Sequence, residues 1–279
     1  MSFIRIERDQ YHVVKGLLSG AESAFTPFPL SILEETIDGI VYVDNQDHPQ
    51  CAAVMSSDFI GGRLIGHAVN KAFNEGFIST MKDHFFVNGS ANDFRLFWST
   101  VSESWDEIIF RVFGYRVFCI SRTQFEFDRH VFESLGLIGN DEGMFRMDAA
   151  MLQSYEPLRR EIEGLWGSIE KYLQHDVGWV AFSSDGQGIG LCHAAFIGGG
   201  LAELSIHVNK SARSQGFGFQ LARNFIGDCL NRGVIPNWTC DTQNVPSFQM
   251  AQKLGFKENK KYNLFSSIYT PILHEPSRT

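Results

Sequence analysis

Short runs of β-type and apolar residues broken by turn-forming clusters dominate the second half of this chain. Val177 to Phe182, Ile189 to Phe196 and Leu201 to Val208 are separated only by SSDGQG and IGGG, which predicts three strands joined by hairpin turns. Helical spacing takes over on either side of this meander. Leu158, Ile162, Leu165, Trp166 and Ile169 fall on one face of a helix predicted over 155–172, and Leu221, Phe225 and Leu230 mark the apolar side of another over 217–232, closed by Gly233. A strand is predicted at Met144 to Asp148, a buried strand at Ile235 to Cys240, a short helix at Asn244 to Leu254 ending on Gly255, and a last strand at Tyr262 to Tyr269.

The first half is mixed in the same way. A helix is expected over Arg8 to Leu18, and Gly39 to Asp44 and Cys51 to Met55 form a hairpin across the turn NQDHPQ. Asp93 to Trp98 reads as a strand, Glu103 to Phe110 as an amphipathic helix and Tyr115 to Ser121 as a further strand. The pattern breaks around Gly136 to Gly143, dividing the chain into an α/β lobe over 1–140 and a second over 141–279.

Composition agrees with two lobes. The chain has 279 residues, 44% of them apolar, enough for a core in each. Its 24 basic and 32 acidic residues give a net charge of −8, which argues against nucleic acid as a partner and favours cationic substrates. The five cysteines, Cys51, Cys119, Cys192, Cys229 and Cys240, contain no CxxC pair, so reduced and mostly buried thiols are expected, with no metal. The opening MSFIRIERDQYHVV lacks the apolar core of a secretory signal, and no window reaches the ~20 apolar residues of a membrane span, so a cytoplasmic protein without a membrane partner is expected.

Candidate chemistry concentrates in RSQGFG, between a predicted strand and a predicted helix. Gly216 and Gly218 let the main chain approach a phosphate closely, and Phe217 begins a helix whose first turn offers unpaired N–H groups. Arg213 adds charge at the rim, and Ser214 and Gln215 complete the loop. Alone, the pattern also suits a tight strand-to-helix turn.

The flanking order of strand, glycine loop, helix, strand, Asn, short helix and LeuGlyPhe resembles the GNAT superfamily of acyl-CoA N-acyltransferases. Arg213, Gly216 and Gly218 stand in register with its acyl-CoA loop, Val208 at the end of its central strand, and Asn244 with Leu254, Gly255 and Phe256 in its second signature. PNWTCDTQNVPSFQMAQKLGF is similar to one bacterial subgroup carrying Trp on that strand and Asn and Ser at the helix start, here Asn244 and Ser247.

The resemblance implies a mixed, mainly antiparallel sheet flanked by helices, with acetyl-CoA as co-substrate. The pantetheine chain would pair with Ile206 to Val208, the pyrophosphate would meet residues 213–218, and Asn244 and Ser247 would lie beside the cofactor. It also implies direct attack on the thioester by a primary amine of a small molecule or peptide, with Glu203 as base. Alternation puts Glu203, Ser205 and His207 on one strand face, and His207 is a second candidate base because imidazole titrates near neutrality. Many members place a Tyr four residues before the Gly of LeuGlyPhe to protonate the leaving thiolate; here that residue is Ala251, leaving Tyr262 or Cys240 as substitutes. The missing Tyr motivates an alternative, a non-catalytic acyl-CoA-binding regulatory module.

Other clusters have plainer readings. Cys192 and His193 are adjacent on a strand, so they point to opposite faces and belong to the core. Asp44, Asp47 and His48 lie in a turn, where Asp serves backbone geometry, and Gly61, Gly62 and Arg63 read as a turn or bulge. The first lobe repeats the order of hairpin then βαβ without a glycine loop, so it reads as a degenerate copy that shapes the acceptor pocket or mediates pairing. The strand Tyr262 to Tyr269, taken as an uncovered edge, invites a homodimer.

Overall fold

A computed structural model describes residues 3–19, 26–87, 96–136, 143–175 and 177–267. The first half runs β1 (Ile4–Ile6), α1 (His12–Lys15), α2 (Pro27–Leu33), β2 (Gly39–Val43), β3 (Cys51–Ser56), β4 (Gly61–Gly66), α3 (Lys71–Lys82), β5 (Phe97–Thr100), α4 (Glu103–Phe113), β6 (Phe118–Phe127) and α5 (Arg129–Ser134). The second runs β7 (Met144–Arg146), α6 (Ala149–Ser154), α7 (Glu156–Trp166), α8 (Ile169–His175), β8 (Gly178–Phe182), β9 (Gly188–Gly198), β10 (Leu201–Val208), α9 (Phe217–Asn231), β11 (Ile235–Asp241), α10 (Val245–Lys253) and β12 (Phe256–Ser266).

The strands form one twelve-stranded sheet in the order β1-β2-β3-β4-β5-β12-β6-β11-β10-β9-β8-β7. Every neighbouring pair is antiparallel except β4 with β5 and β10 with β11. Each half places a helix, α3 or α9, between its parallel strands, as a crossover connection requires. The last strand of each half lies beside the other half's parallel pair: β12 pairs with β5, β6 with β11, and the two pair with each other. The halves are therefore interlocked through the middle of the sheet.

The halves also meet through a helix. Gly198 at the end of β9 lets α2 approach closely; a Cβ there would lie 2.3 Å from Ser31 N and 2.6 Å from Pro27 O. Phe28 of α2 then meets Phe196 edge-to-face at 5.1 Å.

Several expectations are corrected. The helix predicted over 155–172 is two helices, because Gly167 adopts φ 76° and ends α7. Arg8 to Leu18 holds only a 3-10 turn at Arg8–Gln10 and the one-turn α1. Gly61 to Arg63 is not a turn or bulge but the start of β4, and Gly62 makes room for the Trp98 ring, 2.3 Å from where its Cβ would stand. The last strand is no edge, since β12 is bonded on both sides, so that reason for a homodimer falls; Tyr269 lies outside the described residues. The same holds for residues 93–95 of the strand expected at Asp93 to Trp98 and for residues 137–142 around the expected boundary.

Candidate functional site

A fork between two parallel strands creates the site. β10 pairs with β9 along its whole length but with β11 at only three positions, ending at Glu203 opposite Asn237. Beyond that point β11 turns to β6, and the edge of β10 over residues 204–208 has no partner strand among the described residues. A register shift between Glu203 and Leu204 marks the place where the strands part: β9 carries an extra residue there, which increases the local twist.

The glycine loop follows the open edge. Arg213 Nε donates to the Val208 carbonyl at 3.1 Å and Asn209 N to the Ile189 carbonyl at 2.9 Å, tying the loop to the strand ends. Ser214 at φ 61° and Gly216 at φ 89° turn the chain into α9. Gln220 N takes Gly216 O, so the amides of Phe217, Gly218 and Phe219 precede the helix's own bonding pattern and remain donors at its positive end. Gly218 faces Val208 and Ile206, which puts the open edge and the helix start on one continuous surface. An extended acyl carrier with a diphosphate fits these groups: main-chain edge for the chain, amides and loop for the phosphates.

At the crotch of the fork sits Glu203, 5% exposed. Its Oε1 accepts from Thr239 Oγ1 at 2.6 Å and its Oε2 from Asn237 Nδ2, whose Oδ1 accepts from Gln124 Nε2 at 3.2 Å. Arg122 Nε donates to Tyr262 Oη at 2.9 Å, and its Nη2 to Thr239 O at 3.1 Å and Oγ1 at 2.9 Å. Burial pushes the Glu203 carboxyl up to about 7, while Thr239, Asn237 and Arg122 pull it down. Glu203, Arg122, Thr239, Tyr262 and Ser205 open onto a cavity of about 700 Å³ between the halves, within the range of small-molecule sites. Phe28 and Phe97 wall it from the first half and Trp166 and Phe196 from the second, and three further carboxylates, Asp38, Asp58 and Glu163, line it.

A protein-family model for GNAT acetyltransferases matches residues 21–265. The chain belongs to the GNAT acetyltransferase family. It is 27% identical over 252 residues to "Uncharacterized N-acetyltransferase YdfB" of Bacillus subtilis (strain 168), covering 86% of this chain and 90% of that protein. Among solved structures, a GCN5-related N-acetyltransferase-like protein from Streptococcus suis 89/1591 superposes with a TM-score of 0.66 at 21% identity, covering 92% of this chain and 98% of that one. A tandem GNAT protein from the clavulanic acid biosynthesis pathway superposes with a TM-score of 0.59 at 12% identity, covering 96% and 99%. These GNAT neighbours share the mixed α/β architecture.

Within this GNAT frame the expected residues are spread unevenly. Glu203, Ile206, Val208 and the loop from Arg213 to Gly218 lie along the fork. His207 is exposed and does not line the cavity. Asn244 caps α10 by accepting from Ser247 N at 3.2 Å, and Ser247 Oγ accepts from Trp238 Nε1 at 3.1 Å, so the first side chain closes the helix start and the second fastens it to β11. Ala251 is fully buried, Tyr262 lies in the Glu203 network, and burial pushes the Cys240 thiol up.

Arg122, Gln124, Asn237 and Thr239 are functional candidates that the sequence reading missed. Polar Asn237 and Thr239 alternating with Trp238 and Cys240 were a usable signal. Nothing local shows that the strand carrying Arg122 and Gln124 crosses into the second half. Asp44 accepts from Gln50 N and Cys51 N and Asn45 from Asp47 N and His48 N, in keeping with turn geometry. Among the described residues no group of three potential ligands could hold a metal, and no helix is long and apolar enough to cross a membrane.

Proposed function

We propose that this GNAT protein transfers acetyl from acetyl-CoA to a primary amine of a small molecule or peptide by direct attack in a ternary complex. The observation that carries the reading is the placement of one buried carboxylate, Glu203, at the crotch of the fork, with the open β10 edge leading to the glycine loop and the cavity beside it. The acceptor reaches the cavity as an ammonium, which the lining carboxylates favour. Glu203, near 7, takes a proton from it at neutral pH. The freed nitrogen attacks the thioester carbonyl, the C–N bond forms, the C–S bond breaks, and the sulfur leaves as thiolate.

With Ala251 in the place of the usual Tyr, the thiolate leaves unassisted or takes a proton from water, a tolerable loss for a thiol of pKa near 8.5. That same residue favours the second reading, an acyl-CoA-binding module without turnover. A cytoplasmic setting fits five free cysteines.

Calorimetric titration with acetyl-CoA and with CoA, on the wild type and on Gly216→Glu, tests the cofactor cleft. Binding is expected in the wild type and its loss in the variant, which puts a carboxylate in the anion cradle. Thiol release across a panel of amines separates the readings: turnover supports the transferase, and binding without turnover on any amine supports the module.

The same reading makes residues 1–140 a second copy of the unit in 141–279 with its own cleft closed. Support comes from the matching element order and from the first-half fork, where β4 and β5 pair only from Gly61 opposite Phe97 to Arg63 opposite Ser99. Arg63 stands there at the register position of Glu203. Trp105 Nε1 donates to the Gly66 carbonyl at 2.9 Å, the position matching Ile206 in the second half. The link from β4 to α3 is His67 to Asn70, without a glycine loop.

A further inference from the structure

Arg122 belongs to β6, a first-half strand, yet the hydrogen bonds of its guanidinium described above all end on second-half residues. A guanidinium can only donate. The Thr239 hydroxyl oxygen that accepts from it must therefore turn its own proton elsewhere; of the two acceptors in reach, Glu203 Oε1 at 2.6 Å and the Tyr262 hydroxyl oxygen, the second already accepts from Arg122 Nε. Without Arg122 the hydroxyl could rotate and accept a hydrogen bond from a neutral Glu203, which would favour the protonated acid.

We infer that Arg122 is a positioning residue that holds the Thr239 hydroxyl as a fixed donor to Glu203 and so keeps that carboxyl in its proton-accepting form. Arg122 touches no reacting atom in this scheme; it acts through Thr239. The inference deepens the base role proposed for Glu203 and rests on it.

The surroundings single out this arginine. From β11, Asn237 and Thr239 face Glu203, with the Cys240 thiol near enough to feel its charge; from β6, Arg122, with Gln124 one hydrogen bond further; from β12, Tyr262. Across the cavity stand Asp58, Glu163 and Asp38, the last of them paired with Lys171 and Arg8. Arg122 is the one Lys, Arg or His among the described cavity-lining residues. It is the cation that offsets the burial of Glu203, whereas Asp38 has cations of its own in Lys171 at 2.7 Å and Arg8 at 3.0 Å.

The test compares wild type with Arg122→Met, Arg122→Lys and Thr239→Val, using side-chain carboxyl ¹³C NMR titration of Glu203, assigned by its disappearance in Glu203→Gln. In Arg122→Met the Glu203 midpoint is expected to rise by about one pH unit. The acid limb of kcat/KM should move up with it. Arg122→Lys, which keeps the charge without the fork, should restore part of the shift, and Thr239→Val should raise the midpoint with Arg122 in place.

A Glu203 midpoint unchanged in folded Arg122→Met overturns the inference, as does a uniform loss of kcat at every pH with no movement of the limb. Should Arg122→Met fail to fold, an unchanged midpoint in both Arg122→Lys and Thr239→Val overturns it equally. If Glu203→Gln turns over like wild type, the base role fails, while the NMR titration still decides whether Arg122 governs the carboxyl.

Discussion

Glu203 experiences two opposed influences, and their balance sets what can be measured. Burial favours its neutral form, while Thr239, Asn237 and Arg122 favour the anion, leaving it near 7 against an ordinary 4.5. Between those values the folded protein holds a proton that the unfolded chain has released. Stability contributed by this group is therefore full below pH 4.5, falls as pH rises, and is lost above 7, a span worth about 3 kcal/mol. Denaturant midpoints for wild type and Glu203→Gln at pH 5 and pH 8 should show the wild type losing most of that amount relative to the variant. A pH-independent gap would mean that the carboxyl does not titrate in this window. In turnover, Glu203→Gln should lose about 100-fold or more in kcat. Its acetyl-CoA affinity should stay near wild type, because the open strand edge proposed for the cofactor begins one residue further along β10.

At the scale of elements, α10 offers a way to separate a fastening role from a binding one. Asn244 caps the helix and Ser247 holds the Trp238 indole, so both side chains already have structural partners, one within α10 and one on β11. Asn244→Ala should cost about 1 kcal/mol of stability, the usual value of a lost N-cap. Calorimetry should find acetyl-CoA binding within a few-fold of wild type; a large loss of affinity with unchanged stability would give Asn244 a direct cofactor contact instead.

What was legible in the sequence follows element by element. The meander β8 to β10, the glycine loop, α9 and α10 were readable because each carries local punctuation: SSDGQG, IGGG, Gly216, Gly233 and Gly255. Glu203 was readable through the family resemblance, which points to a carboxylate on the central strand; alternation alone also offered His207, which is exposed. β4 was missed because its opening glycines read as a turn, whereas Gly62 is there to admit Trp98, and that contact joins residues far apart in sequence. Arg122 was missed for the same kind of reason: no local pattern reports that β6 pairs with β11, so half of the Glu203 network was invisible.

For the whole molecule, strand exchange makes two predictions from one topology. Trp105 occupies the first-half fork, so calorimetry of the intact chain should find one acetyl-CoA per chain rather than two. Two equivalent sites would refute the closed copy. The second prediction concerns folding. Cutting between residues 140 and 141 would remove β6 from the second half, baring the β11 edge from Trp238 to Asp241 and leaving the stretch of β12 from Asn263 to Ser266 without β5. It would also remove Arg122 and Gln124 from the Glu203 network and α2 from the wall of the cavity. Neither half should then fold alone, since an edge of unpaired main-chain groups in a central strand both loses its hydrogen bonds and invites aggregation. The intact chain should unfold in a single transition, with calorimetric and van't Hoff enthalpies in agreement. The two pieces expressed together should recover both solubility and acetyl-CoA binding, because every strand again finds its partner. Two separate transitions in the intact chain, or a soluble 141–279 piece that binds acetyl-CoA unaided, would show that the shared sheet is a contact between independent domains and not the element that makes the halves one folding unit.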